Sequence, residues 1–124
     1  MAEATRPDGA PTLITVAPYD QVTPRGAVLG SWLLAQVDHA AGLAGRKIAG
    51  GDALILSIKE LTFHGALKAG EEFVMHADLS RRGNSSFNLS LSAWAEPDAD
   101  CRQILGADLL MVAVDGEGKP RKLP

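Results

Sequence analysis

Val28-Leu29-Gly30-Ser31-Trp32-Leu33-Leu34-Ala35-Gln36-Val37-Asp38-His39-Ala40-Ala41-Gly42-Leu43-Ala44 is an almost wholly apolar run with Asp38 near its middle. Only Ser31, Gln36 and His39 are otherwise clearly polar in it. The pattern is helical, and the glycine pair Gly50-Gly51 supplies a natural end, so a helix is predicted over roughly residues 28–47. Leu29, Leu33, Val37, Ala40 and Ala44 form the stripe expected to face a sheet, and Trp32, Gln36, His39 and Leu43 form a second line. Ser31, Ala35, Asp38, Gly42 and Gly45 make a third stripe, whose small residues leave room beside the carboxylate for a ligand or for another chain. An aspartate has poor helix propensity away from a cap and is costly to bury without partners. Its presence implies a use for the charge. Eight residues earlier stands Gly30, near the helix start, where free N–H groups and the helix dipole favour negative charge. The pair suits an oxyanion-binding helix end and a carboxylate base or nucleophile. It also suits an aspartate that only hydrogen-bonds within the core or at a subunit contact, and helix chemistry alone leaves both open.

Strand-like segments flank this helix. Thr12-Leu13-Ile14-Thr15-Val16 is rich in β-branched residues, and residues 18–27, with Pro18, Pro24 and Gly26, form a loop. Ala53 to Phe63 is rich in Leu and Ile, and Glu72 to Arg81 sets Phe73, Met75, Ala77 and Leu79 on one face. Ser85 to Ala95 alternates most cleanly, with Phe87, Leu89, Leu91 and Ala93 opposed to Ser86, Asn88, Ser90, Ser92 and Trp94. Arg81-Arg82-Gly83-Asn84 reads as the hairpin turn between the last two. Ile104 to Val114 is apolar on both faces, as befits a central strand or an interface, and the edge and face around it are expected to lie uncovered in an isolated chain. One apolar helix and about five antiparallel strands can bury that helix only if the sheet curls around it. The predicted fold is α+β of the hotdog type, a curved antiparallel sheet wrapped around one long central helix.

Composition narrows the function classes. The 124 residues, 46% of them hydrophobic, suit a single domain over 1–124, with residues 1–10 as a flexible leader and 116–124 as an irregular tail. A net charge of −3 argues against a nucleic-acid partner. No run of about 18 uninterrupted apolar residues suggests a membrane span, and the polar start does not read as a secretory signal. The lone Cys101 fits a reducing cytoplasm and offers neither an internal disulfide nor a cysteine-rich metal site. The three histidines lack metal-ligand spacing, so no metal is expected. His39 points about 100° around the helix from Asp38, which argues against a direct dyad. His64 reads as an exposed strand-end residue or a polar group near the mouth of a site, and His76 as a surface residue on the polar face of its strand. Ser31 belongs to no nucleophile elbow or triad.

At this point the residues acquire a family likeness. Gly30-Ser31-Trp32-Leu33-Leu34-Ala35-Gln36-Val37-Asp38 resembles the G-G-W-L-x-x-Q-M-D helix of bacterial acyl-coenzyme A thioester hydrolases with the hotdog fold. The similarity continues through Leu61-Thr62-Phe63, through Gly83-Asn84-Ser85-Ser86 to Trp94, and through Val112-Ala113-Val114-Asp115-Gly116-Glu117-Gly118-Lys119-Pro120-Arg121 to Leu123-Pro124. It spans roughly residues 12–124. The resemblance implies that Asp38 is the catalytic carboxylate and that the Gly30 N–H is the oxyanion donor. It further implies that these two groups come from opposite subunits of a dimer, that dimers assemble further, and that no metal or redox cofactor is used, coenzyme A entering only with the substrate. Three departures bear on rate and substrate range more than on fold. Thr23 stands where many relatives carry an Asn, Ser31 replaces a second glycine, and His64-Gly65-Ala66 follows Thr62-Phe63 where Arg-Pro is usual.

The expected function is therefore a cytoplasmic acyl-coenzyme A thioesterase that self-associates as a dimer or an assembly of dimers. Thr23 and Thr62 would help orient the reacting groups, with Trp32 and Ser31 lining the substrate site. Arg81, Arg82, Lys119, Arg121 and Lys122 could engage the phosphates of coenzyme A, or could be ordinary solvated turn and tail charges. The first rival is a hotdog protein that binds acyl-coenzyme A but hydrolyses it poorly. The second is a dehydratase of the same fold, for which His39 points the wrong way.

Overall fold

The computed structural model describes residues 5–124, so the first four residues of the expected leader lie outside it. Its elements run β1 (Leu13–Val16), α1 (Gly30–Ala49), β2 (Ala53–Phe63), β3 (Glu72–Arg82), β4 (Ser86–Ala95) and β5 (Arg102–Ala113). The strands form one antiparallel sheet in the order β1-β3-β4-β5-β2. The sheet holds α1 against one face, as the hotdog reading requires. Leu33, Val37, Ala40, Ala41 and Ala44 of the helix are buried with Phe73, Met75, Phe87, Leu89, Leu91, Leu105, Leu109 and Met111 of the sheet. Trp32 meets Phe73 edge to face, with ring centroids 5.5 Å apart. At Gly45 the helix comes close to the sheet, since an added Cβ would lie 3.1 Å from the Met111 Cε and 3.4 Å from the Ala53 Cβ.

Both helix ends follow from local chemistry. Gly50 takes the left-handed conformation, φ 66°, and its N–H donates to the Arg46 carbonyl, while Arg46 and Lys47 complement the dipole in the last turn. The start differs by two residues from the sequence expectation. Val28 is extended, bridges to Val22 and donates its N–H to the Leu67 carbonyl at 2.7 Å, so the helix begins at Gly30. Leu29, extended and in the N-cap position, consequently leaves the buried stripe and is exposed.

Bulges bend the sheet: the β2–β5 register shifts between Ile55 and Ser57 and again between Lys59 and Thr62, and β3–β4 shifts between Leu79 and Arg81. Glu60 sits inside the second of these with φ 54°, a conformation rare for a residue with a side chain.

Three expectations are corrected. Strand β5 is interior, flanked by β4 and β2, with Ile104, Leu105, Leu109 and Ala113 fully buried, so the region around 104–114 is not an uncovered edge. The free edges belong to β1 and β2. Leu79 does not join Phe73, Met75 and Ala77 in the core, because β1 flanks β3 only over Glu72 to Met75 and the strand beyond lies open on that side. His76 is not on the surface: it is 2% exposed. The Arg6 Nε–H donates to its Nε2 at 3.1 Å, bringing the chain before β1 onto the sheet face away from α1. Val74 and Trp94 are buried on that face as well. The tail 116–124 carries no strand but is tied down. The Asp115 carboxylate accepts the N–H groups of Glu117 and Lys119, the Leu123 N–H donates to the Asn84 carbonyl, and the Leu123 side chain is buried.

Candidate active site

Asp38 lies halfway along α1 on the side turned from the sheet, exposed to solvent. Of its stripe, Ser31 and Ala35 are exposed as well and only Gly45 reaches the core, which is how a carboxylate is accommodated in so apolar a run. It lines an open groove of about 450 Å³ with Leu13 of β1 and with His39, Gly42, Leu43 and Arg46 of the helix. The walls are largely apolar, and at Gly42 an added Cβ would meet nothing within 4 Å. The carboxylate forms none of the ion pairs among the described residues. His39 shares the groove, and no hydrogen bond joins it to Asp38 among the described residues.

Gly30 is the first residue of α1 and is exposed. The N-cap residue, Leu29, supplies no side-chain hydrogen bond and the first turn holds no acidic residue. The Gly30 and Ser31 N–H groups take no part in the backbone hydrogen bonds among the described residues, and Ser31 is exposed beside them. A helix start left uncapped in this way offers donors and a positive dipole end to an oxyanion. Eight residues separate Gly30 from Asp38, about 12 Å along the axis at helical rise. A thioester carbonyl must lie about 3 Å from both its oxyanion donor and its attacking or base-bound oxygen. One chain therefore presents the two halves apart.

The remaining expected site residues are dispersed. Thr23 is half-buried in the loop before α1, where its hydroxyl accepts the N–H groups of Arg25 and Ala27, each at 3.3 Å. Its carbonyl accepts the Gly26 N–H at 2.8 Å, so this threonine holds the turn that delivers the chain to Gly30. Thr62 pairs with Gly106 across the sheet, and its hydroxyl donates to the Glu60 carbonyl at 3.2 Å. It lines a separate polar groove of about 260 Å³ with Glu60, His64, Ser90, Gln103 and Asp108, which shares no residue with the Asp38 groove. Trp32 is half-buried against Phe73. Arg81 bonds to Asn88 and Ser86, Arg82 to the Pro124 carbonyl, and Lys119 pairs with Glu117 at 3.6 Å. Arg121 donates from Nε to the Val114 carbonyl at 3.0 Å and from its terminal nitrogen to the Ala49 carbonyl at 2.7 Å, pinning the tail to the helix end. Lys122 is exposed. Leu13, Leu43 and Arg46 were not expected beside Asp38. For Arg46 the signal was available, since positions 38, 42 and 46 stack on one helix face; for Leu13 there was none, because its place depends on how β1 crosses the helix.

The geometry can be set beside known proteins. Residues 25–102 match the family model described as the thioesterase superfamily. The acyl-CoA thioester hydrolase YciA of Escherichia coli is 28% identical over 123 residues, covering 95% of this chain and 93% of its own length. A hexameric thioesterase from Yersinia pestis superposes with a TM-score of 0.88 at 28% identity, over 96% of this chain and 98% of that one. A hexameric hotdog fold thioesterase of Campylobacter jejuni superposes with a TM-score of 0.86 at 23% identity, over 94% and 91% of the two chains. With a matched segment spanning α1 and the three strands β2, β3 and β4, and with the sheet-wrapped helix shared throughout, this chain belongs to the thioesterase superfamily and has the hotdog fold.

Proposed function

We propose that the protein is an acyl-coenzyme A thioester hydrolase, converting acyl-coenzyme A and water to a carboxylic acid and coenzyme A. The observation that carries this reading is Asp38, an exposed carboxylate in a largely apolar groove, on the same helix as an uncapped start at Gly30. Because the two lie too far apart in one chain to serve one carbonyl, the working site pairs Gly30 of one subunit with Asp38 of another, and a dimer holds two such sites. The thioester oxygen sits against the Gly30 N–H. Asp38 takes a proton from water as its oxygen bonds to the carbonyl carbon, or the carboxylate attacks that carbon itself and water releases the acyl group afterwards. Collapse of the tetrahedral adduct breaks the C–S bond, and the coenzyme A thiolate leaves and takes up a proton. No metal or redox cofactor enters this scheme, and the site of action is the cytoplasm, where the exposed Cys101 stays reduced.

The relatives named as acyl-CoA thioester hydrolases support the substrate class. Release of free thiol from a panel of acyl-coenzyme A esters tests the reading. A folded protein that binds these esters without turning them over would instead be the weak-hydrolase binder. One feature favours that second reading: the Thr23 hydroxyl accepts hydrogen bonds within its own loop, leaving only its proton for a substrate or water.

A further inference from the structure

Among the described residues, Arg46 is the one arginine or lysine that lines the groove holding Asp38. It is exposed, and its guanidinium enters none of the ion pairs or side-chain hydrogen bonds among the described residues. Asp38, Gly42 and Arg46 are spaced by four, so they lie on one helix face over about 12 Å. Long side chains on a helix lean toward its N-terminus, which carries the guanidinium back over Gly42 toward Asp38. The floor between them is open at Gly42 and walled by Leu13 and Leu43. A cation near the end of a helix is explained in part by the dipole. Lys47 provides that service too, yet only Arg46 lines the groove.

We infer that Arg46 selects the far end of the acyl group, and that the preferred substrates are coenzyme A monothioesters of short dicarboxylic acids. This rests on the hydrolase reading above and names its substrate class. With the carbonyl beside Asp38, the acyl chain lies along Gly42 between the leucines, because those walls suit hydrocarbon rather than a nucleotide. Its terminus then meets the guanidinium. A methyl terminus would desolvate that charge with no return, whereas a terminal carboxylate forms a charge-assisted, bidentate pair with it.

The test compares kcat/KM for glutaryl- and adipoyl-coenzyme A with that for butyryl- and hexanoyl-coenzyme A. The wild type should favour the first pair. Arg46→Met should lower kcat/KM for them at least tenfold while leaving the unbranched monoacids unchanged or improved, and Lys47→Met should alter neither ratio. Equal losses on all four esters would overturn the inference by assigning Arg46 to the coenzyme A phosphates, and no change on any would overturn it as well. Calorimetric binding of glutaryl- against butyryl-coenzyme A to the Asp38→Asn protein separates the two proposals. Selective binding that Arg46→Met abolishes upholds the role of Arg46 even if the wild type proves inactive, in which case only the hydrolase reading falls. Equal binding of the two esters by the Asp38→Asn protein sinks the role of Arg46 whatever the turnover.

Discussion

Asp38 and His76 are the two residues whose surroundings differ most from what their positions in the chain suggest. Asp38 sits in an apolar run yet is exposed, so its removal relieves no burial penalty. Asp38→Asn should therefore leave thermal stability nearly unchanged. It should lower kcat by at least about a hundredfold, the scale of a lost general base or nucleophile. Full turnover in the folded variant would remove Asp38 from the chemistry. His76 has the opposite character. It accepts the Arg6 Nε–H at Nε2, so the ring is neutral with its proton on Nδ1. Burial, then the charge of Arg6, lower its pKa below the ordinary 6.5, and Asp78 opposes them. Protonation is thus harder folded than unfolded. The contact contributes fully above the unfolded value and is lost as pH falls below about 6.5 toward the depressed folded value. Hydrogen exchange over residues 5–11 should quicken in that range, and thermal stability should decline with it. His76→Gln, which keeps an acceptor but cannot be charged, should flatten both; an unaltered acid response would show that other groups govern it.

At the scale of the element, the two interior glycines of α1, Gly42 and Gly45, make a controlled pair. Each lowers helix propensity by about 1 kcal/mol relative to alanine. At Gly42 a methyl would enter open space in the groove, whereas at Gly45 it would press on the Met111 Cε and the Ala53 Cβ within the core. Gly42→Ala should raise the melting temperature, and Gly45→Ala should raise it less or lower it. The same Gly42→Ala change narrows the acyl path, so KM should rise as stability does. Differential scanning calorimetry and steady-state kinetics on the two variants check both statements. Equal stabilisation would mean that Met111 yields freely.

For the whole molecule the open question of surface lies with β2. As an edge strand it leaves one row of backbone groups unpaired along 11 residues, and Leu54, Leu56, Ile58 and Phe63 are exposed on it, Leu56 at 58%. A long apolar edge of this kind invites another strand. If the proposed self-association uses this edge, sedimentation at micromolar concentration should show a dimer or larger, and Leu56→Lys should shift the population toward monomer with loss of turnover. A wild-type monomer of full activity would end both the composite site and the two-chain reaction scheme.

Much of this was legible in the chain itself. The helix, expected over roughly 28–47 and found at 30–49, was readable from its apolar spacing and from the glycine pair at its end, and β4 from its strict alternation. The run from Gly30 to Asp38, with its glycine start and its lone carboxylate, carried the family. Period and spacing reveal which side chains share a face. They do not reveal what is laid upon that face, because covering it takes residues distant in sequence. For that reason only the tertiary structure could bury His76 beneath Arg6, turn Asp38 to solvent, enclose β5 between two neighbours and expose β2, and bring Leu13 from another element beside Arg46. Thr23 and Arg121 show the same limit at short range: their hydrogen bonds go to a loop and a helix end that exist only once the chain has folded.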